Sequence, residues 1–355
     1  MNQKQDNIIR ISKGLCIIFV VLGHTMIPSI RNANGTIYSI WTVVYLFHMP
    51  VFFAISGILY ELNCSRYEKN PWSFIKGKFE LLIIPYLFIS AISYIGLAIM
   101  KKIPLISELI DRYVHDFSGV KSILYEILTY ENHVAQHLWF VLVLFLIFLT
   151  NILLRKTNQL FLCVSLLVLP IFVLPILKAR FSVPDIPNYF LFELPFFMFG
   201  RLIGRNKKVL TTATKGNVSP LIFAILTYIY ISYFDSYENF GGPIRWIYLF
   251  VTRCTGILMI FSVASWLEKN AKIKEICKYL EQKSYVIYLL HQPFIVSGIA
   301  GVLVAVGIPN TIIIFVVTVI GITVPLLIDK WMKDNKWYQE LILGGRNKKK
   351  EGTGT

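Results

Sequence analysis

Two residues near the start of the chain have a spacing that could support chemistry. Lys13 and His24 are eleven residues apart within an apolar segment. On an α-helix this separation puts both side chains on one face, about 20° apart around the axis and about 16 Å apart along it. Arg10 falls within about 40° of the same line. A cation followed by an imidazole suits an anionic donor such as coenzyme A, whose phosphates would bind the cations while its thioester reaches a base.

Further ionisable side chains lie inside apolar segments, where a charge is costly and therefore suggests a function. His48 is predicted to lie at nearly the same depth as His24, and the two histidines are predicted to act as a catalytic acid/base pair. The alternative is a buried histidine that is hydrogen-bonded to a backbone carbonyl. His291 is predicted to lie nearer the cytoplasmic side and to orient the donor.

Two further groups of cations are candidates. Arg201 and Arg253 could bind the donor's phosphates or an acidic sugar, or they could pair with Glu193. Lys76 and Lys78 precede the third apolar segment, where they could bind phosphate or serve only to set the topology. The predicted donor-binding residues are therefore Lys13, Arg10, Lys76, Lys78, Arg201 and His291.

Several kinds of site are not predicted. The sequence has no G-x-x-x-x-G-K-[ST] nucleotide loop, no H-E-x-x-H zinc motif and no G-x-S-x-G nucleophile elbow. The five cysteines have no metal-like spacing. We therefore expect no metal site and no bound cofactor.

Composition indicates where these side chains reside. Hydrophobic residues make up 55% of the 355 residues and charged residues 15%, against roughly a quarter charged in ordinary globular chains. Apolar runs recur at the length of roughly 20 residues that crosses a bilayer as a helix. The predicted fold class is an all-α polytopic membrane protein with about ten transmembrane helices. The predicted spans are 14–31, 40–60, 80–100, 138–154, 159–177, 188–204, 218–234, 244–267, 284–306 and 310–328.

The basic residues predict the orientation. The formal net charge is +15, and most of the excess lies in alternate short loops rather than in a nucleic-acid-binding patch. The positive-inside rule then puts both termini in the cytoplasm. We expect a multi-pass protein of a cell membrane of the bacterial type. We divide the chain into a cytoplasmic N-terminus (1–13), a membrane domain (14–328) and a cytoplasmic basic tail (329–355).

The largest predicted outer loop is 101–137. Apolar residues follow a helical spacing in both of its halves, which predicts an interfacial helix or a cap over a cavity, although a solvated connection is equally compatible. These residues are Leu105, Leu109, Ile110 and Tyr113, then Ile123, Ile127 and Leu128.

Several short motifs resemble, in order, those of the acyltransferase-3 family of integral membrane acyltransferases, and together they cover Arg10 to about residue 300. They are Lys13-x10-His24, Phe47-His48-Met49-Pro50-Val51-Phe52-Phe53 with Ser56-Gly57, Phe74-Ile75-Lys76-Gly77-Lys78, Ile84-Pro85-Tyr86, Leu138-Trp139-Phe140, Pro195-Phe196-Phe197 with Gly200, and Ser284 to His291.

The resemblance implies an acetyl-CoA donor and a sugar hydroxyl acceptor on a cell-surface polysaccharide or its lipid-linked precursor. The His48-Met49-Pro50 form of the second span is similar to the branch of fucose 4-O-acetylase-like and other surface polysaccharide O-acetyltransferases. The resemblance also implies that His24 is the essential histidine. Lys13 stands where the family more often has arginine, and lysine lacks the bidentate phosphate geometry of arginine.

Two other classes of protein fit a chain of this kind. A transporter of polysaccharide or lipid-linked sugar would also have many helices and intramembrane charges, but the sequence shows no internal repeat. A polysaccharide polymerase would have a similar helix count, but that class usually has a large outer loop rich in arginine, and the 101–137 loop contains only Arg112.

Overall fold

The computed structural model describes residues 2–103, 119–129, 134–182, 184–214, 218–234 and 243–345, and this part of the chain is almost entirely helical, without a strand. The α-helices are α1 (Gln3–Thr25), α2 (Pro28–Arg31), α3 (Gly35–Lys69), α4 (Pro71–Lys78), α5 (Ile84–Met100), α6 (Val120–Thr129), α7 (Trp139–Leu153), α8 (Gln159–Arg180), α9 (Asp185–Arg205), α10 (Lys207–Ala213), α11 (Val218–Ile229), α12 (Pro243–Leu267), α13 (Ala271–Leu290), α14 (Ile299–Ala305), α15 (Asn310–Met332) and α16 (Lys336–Leu341).

The all-α membrane class is confirmed. Seven helices of the described part are long and apolar enough to cross a membrane, and the bent pair α13–α14 makes up to eight. All ten predicted segments overlap described helices, while the count of ten and the cytoplasmic termini stay predictions. The candidate spans on α8 and α15 have only 28% and 22% of their apolar windows buried, as expected for helices that face lipid.

Two helices differ from the predicted spans 14–31 and 284–306. Helix α1 begins at Gln3 and ends at Thr25, because the polar helix formers at its start continue the helix and Pro28 disfavours a helical conformation before it. Helix α13 begins at Ala271, thirteen residues before the prediction. The predicted ninth span is broken after Leu290 and bent by 68°, because Pro293 cannot continue the hydrogen-bond ladder.

The chain forms two compact units, of which the first contains residues 1–23, 31–71 and 149–284. Its closest helix contact is between α3 and α9, where small residues let the backbones approach. A Cβ atom on Gly57 would lie 2.0 Å from the carbonyl oxygen of Phe197, and one on Gly200 would lie 2.0 Å from that of Ala54. Only glycine therefore fits at these two positions.

The second unit contains residues 24–30, 72–148 and 285–355. Helix α6 confirms a helix in the second half of the 101–137 loop, and it packs on α5. The Tyr86 hydroxyl donates to the carbonyl of Ile127, and the Tyr94 hydroxyl donates to the carboxylate of Glu126. The helix predicted from Leu105 to Tyr113 lies outside the described residues.

Candidate functional site

The second unit gathers three histidine rings. The centroids of the His24 and His291 rings are 5.2 Å apart, and those of the His137 and His291 rings are 5.3 Å apart. His291 is fully buried and His137 is 5% exposed, whereas His24 is only partly buried. His24 is thus the most exposed of the three histidines, and the other two are buried in the protein.

Each ring is positioned by the end of a helix. His24 is in the last turn of α1, and His137 belongs to a 3-10 turn, Gln136–Leu138, directly before α7. His291 follows the last residue of α13, at the break that Pro293 imposes. Helix ends leave backbone carbonyls without intrahelical partners, and these carbonyls can hold a side chain.

Backbone carbonyls determine which nitrogen of His291 carries the proton. The Nδ1 atom lies 3.0 Å from the carbonyl oxygen of Ile287 and 2.8 Å from that of Tyr288. A carbonyl only accepts, so Nδ1 must be the protonated nitrogen and Nε2 must have the lone pair in the neutral ring. The Nε2 atom is buried and has no hydrogen-bond partner among the described residues. His291 therefore presents an unused acceptor inside the cluster.

His137 is anchored by the same segment of α13. Its Nε2 atom lies 3.5 Å from the carbonyl oxygen of Leu289, at the long limit for a hydrogen bond. Its own carbonyl oxygen accepts a bond of 2.5 Å from the Tyr288 hydroxyl. His137 was not predicted as a site residue, because it lies in the segment that was predicted to be an outer loop. Its position directly before Leu138-Trp139-Phe140 was the signal that could have identified it.

His291 was predicted to lie nearer the cytoplasmic side and to orient the donor. Helix α13 begins at Ala271 rather than at residue 284, so His291 lies about 30 Å along this helix. Its ring lies beside that of His24, while its depth in the membrane and its role in orienting the donor stay predictions.

His48 lies in the first unit. It is 1% exposed, its Nδ1 donates to the carbonyl of Val44 over 2.7 Å, and its ring stacks edge-on against Tyr45 at 4.8 Å. The Nδ1 contact of His48 thus matches the alternative interpretation, a buried histidine that is hydrogen-bonded to a backbone carbonyl. His24 belongs to the other unit, so the predicted pairing of the two rings stays a prediction.

Lys13 and Arg10 on α1 share a carboxylate on α13, and Arg10 also lies 4.0 Å from Asp6. Glu281 on α13 accepts from the Lys13 ammonium at 3.2 Å and from the Arg10 guanidinium at 3.3 Å. All three side chains are partly exposed, at 26% for Lys13, 35% for Arg10 and 18% for Glu281. An anion that binds these cations must compete with Glu281 or displace it.

Arg201 lies in a different environment from Lys13 and Arg10. It is fully buried, and its Nε, Nη1 and Nη2 atoms donate to Glu61, Asn151 and Gln159 over 2.7–2.9 Å. Its ion-pair partner is therefore Glu61 and not Glu193. Each of the three guanidinium nitrogens already donates to one of these side chains, so the proposed donor site does not include Arg201.

The other predicted ion pair is present. Arg253 lies 3.3 Å from Glu193, and its guanidinium lies over the Phe192 ring at 4.3 Å. In the second unit, Lys78 lies over the Phe148 ring at 4.3 Å, and Lys76 is exposed. Among the described residues, no group of three or more His, Cys, Asp or Glu side chains could hold a metal ion.

No curated protein and no solved structure is detectably similar to the chain. The family model described as an acyltransferase domain, that of the acyltransferase-3 family, matches residues 6–330. The match includes all three histidines of the cluster and nearly every described helix. The chain therefore belongs to the acyltransferase-3 family and is a membrane acyltransferase.

Proposed function

We propose that this acyltransferase moves an acetyl group from acetyl-CoA to a sugar hydroxyl of a cell-surface polysaccharide or its lipid-linked precursor, in a bacterial-type cell membrane. The observation that supports it best is the position of His24. This partly buried imidazole shares one helix with Lys13 and is in contact with a second imidazole. A base at the inner end of a cationic helix face suits transfer from an anionic thioester.

In the proposed reaction, His24 removes the proton from the sugar hydroxyl while the oxygen attacks the thioester carbon. The new O–C bond forms, the C–S bond breaks, and the proton passes from His24 to the departing thiolate. General base catalysis of this kind typically contributes about 10²–10⁴-fold. A covalent acetyl-histidine intermediate on His24 is a variant of the same proposal, and it requires the same residue.

The experiment on the proposed function measures O-acetyl esters in the host's surface polysaccharide by proton NMR, before and after mild alkali. Wild type, a deletion strain, and the deletion complemented with the wild-type or His24→Ala chain are compared. Ester signals that are lost in the deletion and restored only by the wild-type chain support the proposal. Unchanged ester with an altered amount or length of polymer would refute it, and so would full transfer by the His24→Ala chain.

The donor site has its own test. We assign the phosphates of acetyl-CoA to Lys13 and Arg10, where they would replace Glu281. Removing that carboxylate in Glu281→Gln should lower the KM for acetyl-CoA roughly fivefold, because one competing charge at the surface is worth about 1 kcal/mol. Lys13→Gln should raise this KM by a similar factor. Glu275→Gln is the control, because Glu275 is on the same helix, is 71% exposed and pairs only weakly with Lys278.

Two further predicted residues are tested separately. Lys76→Gln should raise the KM for acetyl-CoA if this exposed lysine also binds the donor. His48→Ala should lower kcat as strongly as His24→Ala if His48 is the second catalytic histidine. Full activity of either variant would confine the residue to a structural or topological role.

A further inference from the structure

The buried acceptor on His291 is a feature that the proposed function leaves unexplained. An unpaired polar atom in the protein interior is destabilising, so each one calls for an explanation, and a partner gained during function is one. The Nε2 atom of His291 has no partner among the described residues, and its Nδ1 proton is committed to two carbonyls. The partner must therefore be a hydrogen-bond donor that approaches the Nε2 side of the ring.

The substrate is a poor candidate for this donor. The His291 side chain is fully buried, so a sugar hydroxyl cannot touch it without displacing other residues. His137 is also a poor candidate, because its Nε2 faces the carbonyl of Leu289. A neutral His137 in that tautomer has only a lone pair left on its other nitrogen.

His24 meets the requirement. Its ring centroid is 5.2 Å from that of His291 and the two rings are tilted by 56°. One N–H···N hydrogen bond between two imidazoles spans about this distance. Within the described part of the chain nothing is hydrogen-bonded to Nε2 of His291, so this bond forms only when the His24 ring turns toward it. A neutral His24 that acts as a base needs a lone pair on the nitrogen that faces the hydroxyl, and its other nitrogen then carries a proton that it can donate.

We propose that His291 is the positioning residue of His24: its Nε2 accepts the N–H of His24 and so holds the other His24 nitrogen as the base. The inference rests on the proposed acyl transfer, with His24 as the group that touches the hydroxyl. When His24 takes the hydroxyl proton it becomes an imidazolium, and the bond to neutral His291 stabilises the positive charge. The backbone carbonyls of α13 thereby determine the tautomer of His24 through His291.

Two substitutions at this position separate the acceptor from the rest of the ring. His291→Asn places an amide nitrogen where Nδ1 was, which can still donate to the carbonyls, but it has no atom at the Nε2 position. His291→Gln places an amide oxygen near the Nε2 position and restores an acceptor. Tyr94→Phe is the control, because it removes a buried hydroxyl of the same unit that is bound to Glu126 and not to the histidines.

The experiment uses membrane vesicles that contain the full chain, radiolabelled acetyl-CoA and the host's polysaccharide precursors. We expect His291→Asn to lower kcat on the order of 100-fold, because a misoriented base loses most of its effect. The KM for acetyl-CoA should stay within about twofold of wild type, since the phosphates bind elsewhere. His291→Gln should recover at least about a tenth of the wild-type kcat, and Tyr94→Phe should keep the wild-type values.

Several results would overturn the inference. One is an unchanged kcat in His291→Asn, and another is an equal loss in the Asn and Gln variants at equal amounts of folded protein. A third is a loss of transfer with unchanged hydrolysis of acetyl-CoA by water, which would place Nε2 on the sugar instead of on His24. If the wild-type chain itself transfers no acetyl group, the proposed function fails, and that outcome is distinguishable from all three.

Discussion

Substitution of Gly200 by alanine should separate the two helices of the first unit that pack most closely. A Cβ atom at this position would lie 2.0 Å from the carbonyl oxygen of Ala54 and 2.7 Å from its Cα atom. Ordinary van der Waals contact begins at 3.4 Å, so α9 must move away from α3 by about 1.4 Å. A gap of 0.5–1 Å already forfeits roughly a quarter to a half of the dispersion energy between two surfaces.

The expected loss is about 3 kcal/mol, at the upper end of the usual cost of overpacking. For a unit of this size it corresponds to a fall in melting temperature on the order of 5–10 °C. The assay is thermal unfolding of the detergent-solubilised chain, followed by size-exclusion chromatography. Gly301→Ala is the matched control. No atom lies within 4 Å of the Cβ it adds, and alanine is the better helix former by about 1 kcal/mol.

A double substitution makes the prediction more specific. Gly57→Ala should cost about as much as Gly200→Ala, because its Cβ would lie 2.0 Å from the carbonyl oxygen of Phe197. The same helix separation relieves both clashes, so the double variant should lose clearly less than the sum of the two single losses. Melting temperatures of the Gly200→Ala and Gly301→Ala chains that agree within error would refute the packing argument.

Two further predictions concern buried polar groups. Arg201→Leu should destabilise the protein by about 3–5 kcal/mol, because it removes the buried partner of Glu61, whereas Arg205→Leu should cost at most about 1 kcal/mol because Arg205 is 28% exposed. Melting curves of the two variants compare these losses, and equal losses would contradict the argument. Tyr338→Phe should cost about 1–3 kcal/mol, because buried Asp329 loses the hydroxyl that donates to it over 2.9 Å. Burial and the Asp329 carboxylate also raise the pKa of Tyr338 above its ordinary value, so its contribution to stability should be intact below about pH 10 and decline above it as the unfolded chain loses that proton. Melting temperatures at pH 8 and pH 10.5 test this, and the Phe variant should lose less stability than wild type between them.

The sequence predicted some parts of the site correctly because they depend on one helix alone. Lys13 and His24 lie on one continuous helix, as their eleven-residue spacing indicated. Helix α6 likewise follows the apolar spacing of Ile123, Ile127 and Leu128. Local periodicity is enough to predict such features, because a helix fixes the relative positions of residues along it.

Other parts depended on where helices begin and end. The start of α13 was predicted thirteen residues too late, because the polar first half of this helix precedes the apolar segment. His137 was overlooked because the short turn before α7 has no apolar pattern of its own. In both cases the hydrophobic pattern marks the membrane-facing part of a helix but not its full length.

The sequence by itself determined that this chain is an all-helical membrane protein, that it is an acyltransferase of one family, and that a cation and an imidazole share a helix face. Composition, periodicity and ordered motifs are properties of the linear chain, and they needed no knowledge of packing. Only the tertiary structure brought His137 and His291 to His24, joined Arg201 to Glu61 across 140 positions, and joined Lys13 to Glu281 across 268. These contacts form because helices distant in sequence pack side by side, and no local pattern encodes which helices become neighbours.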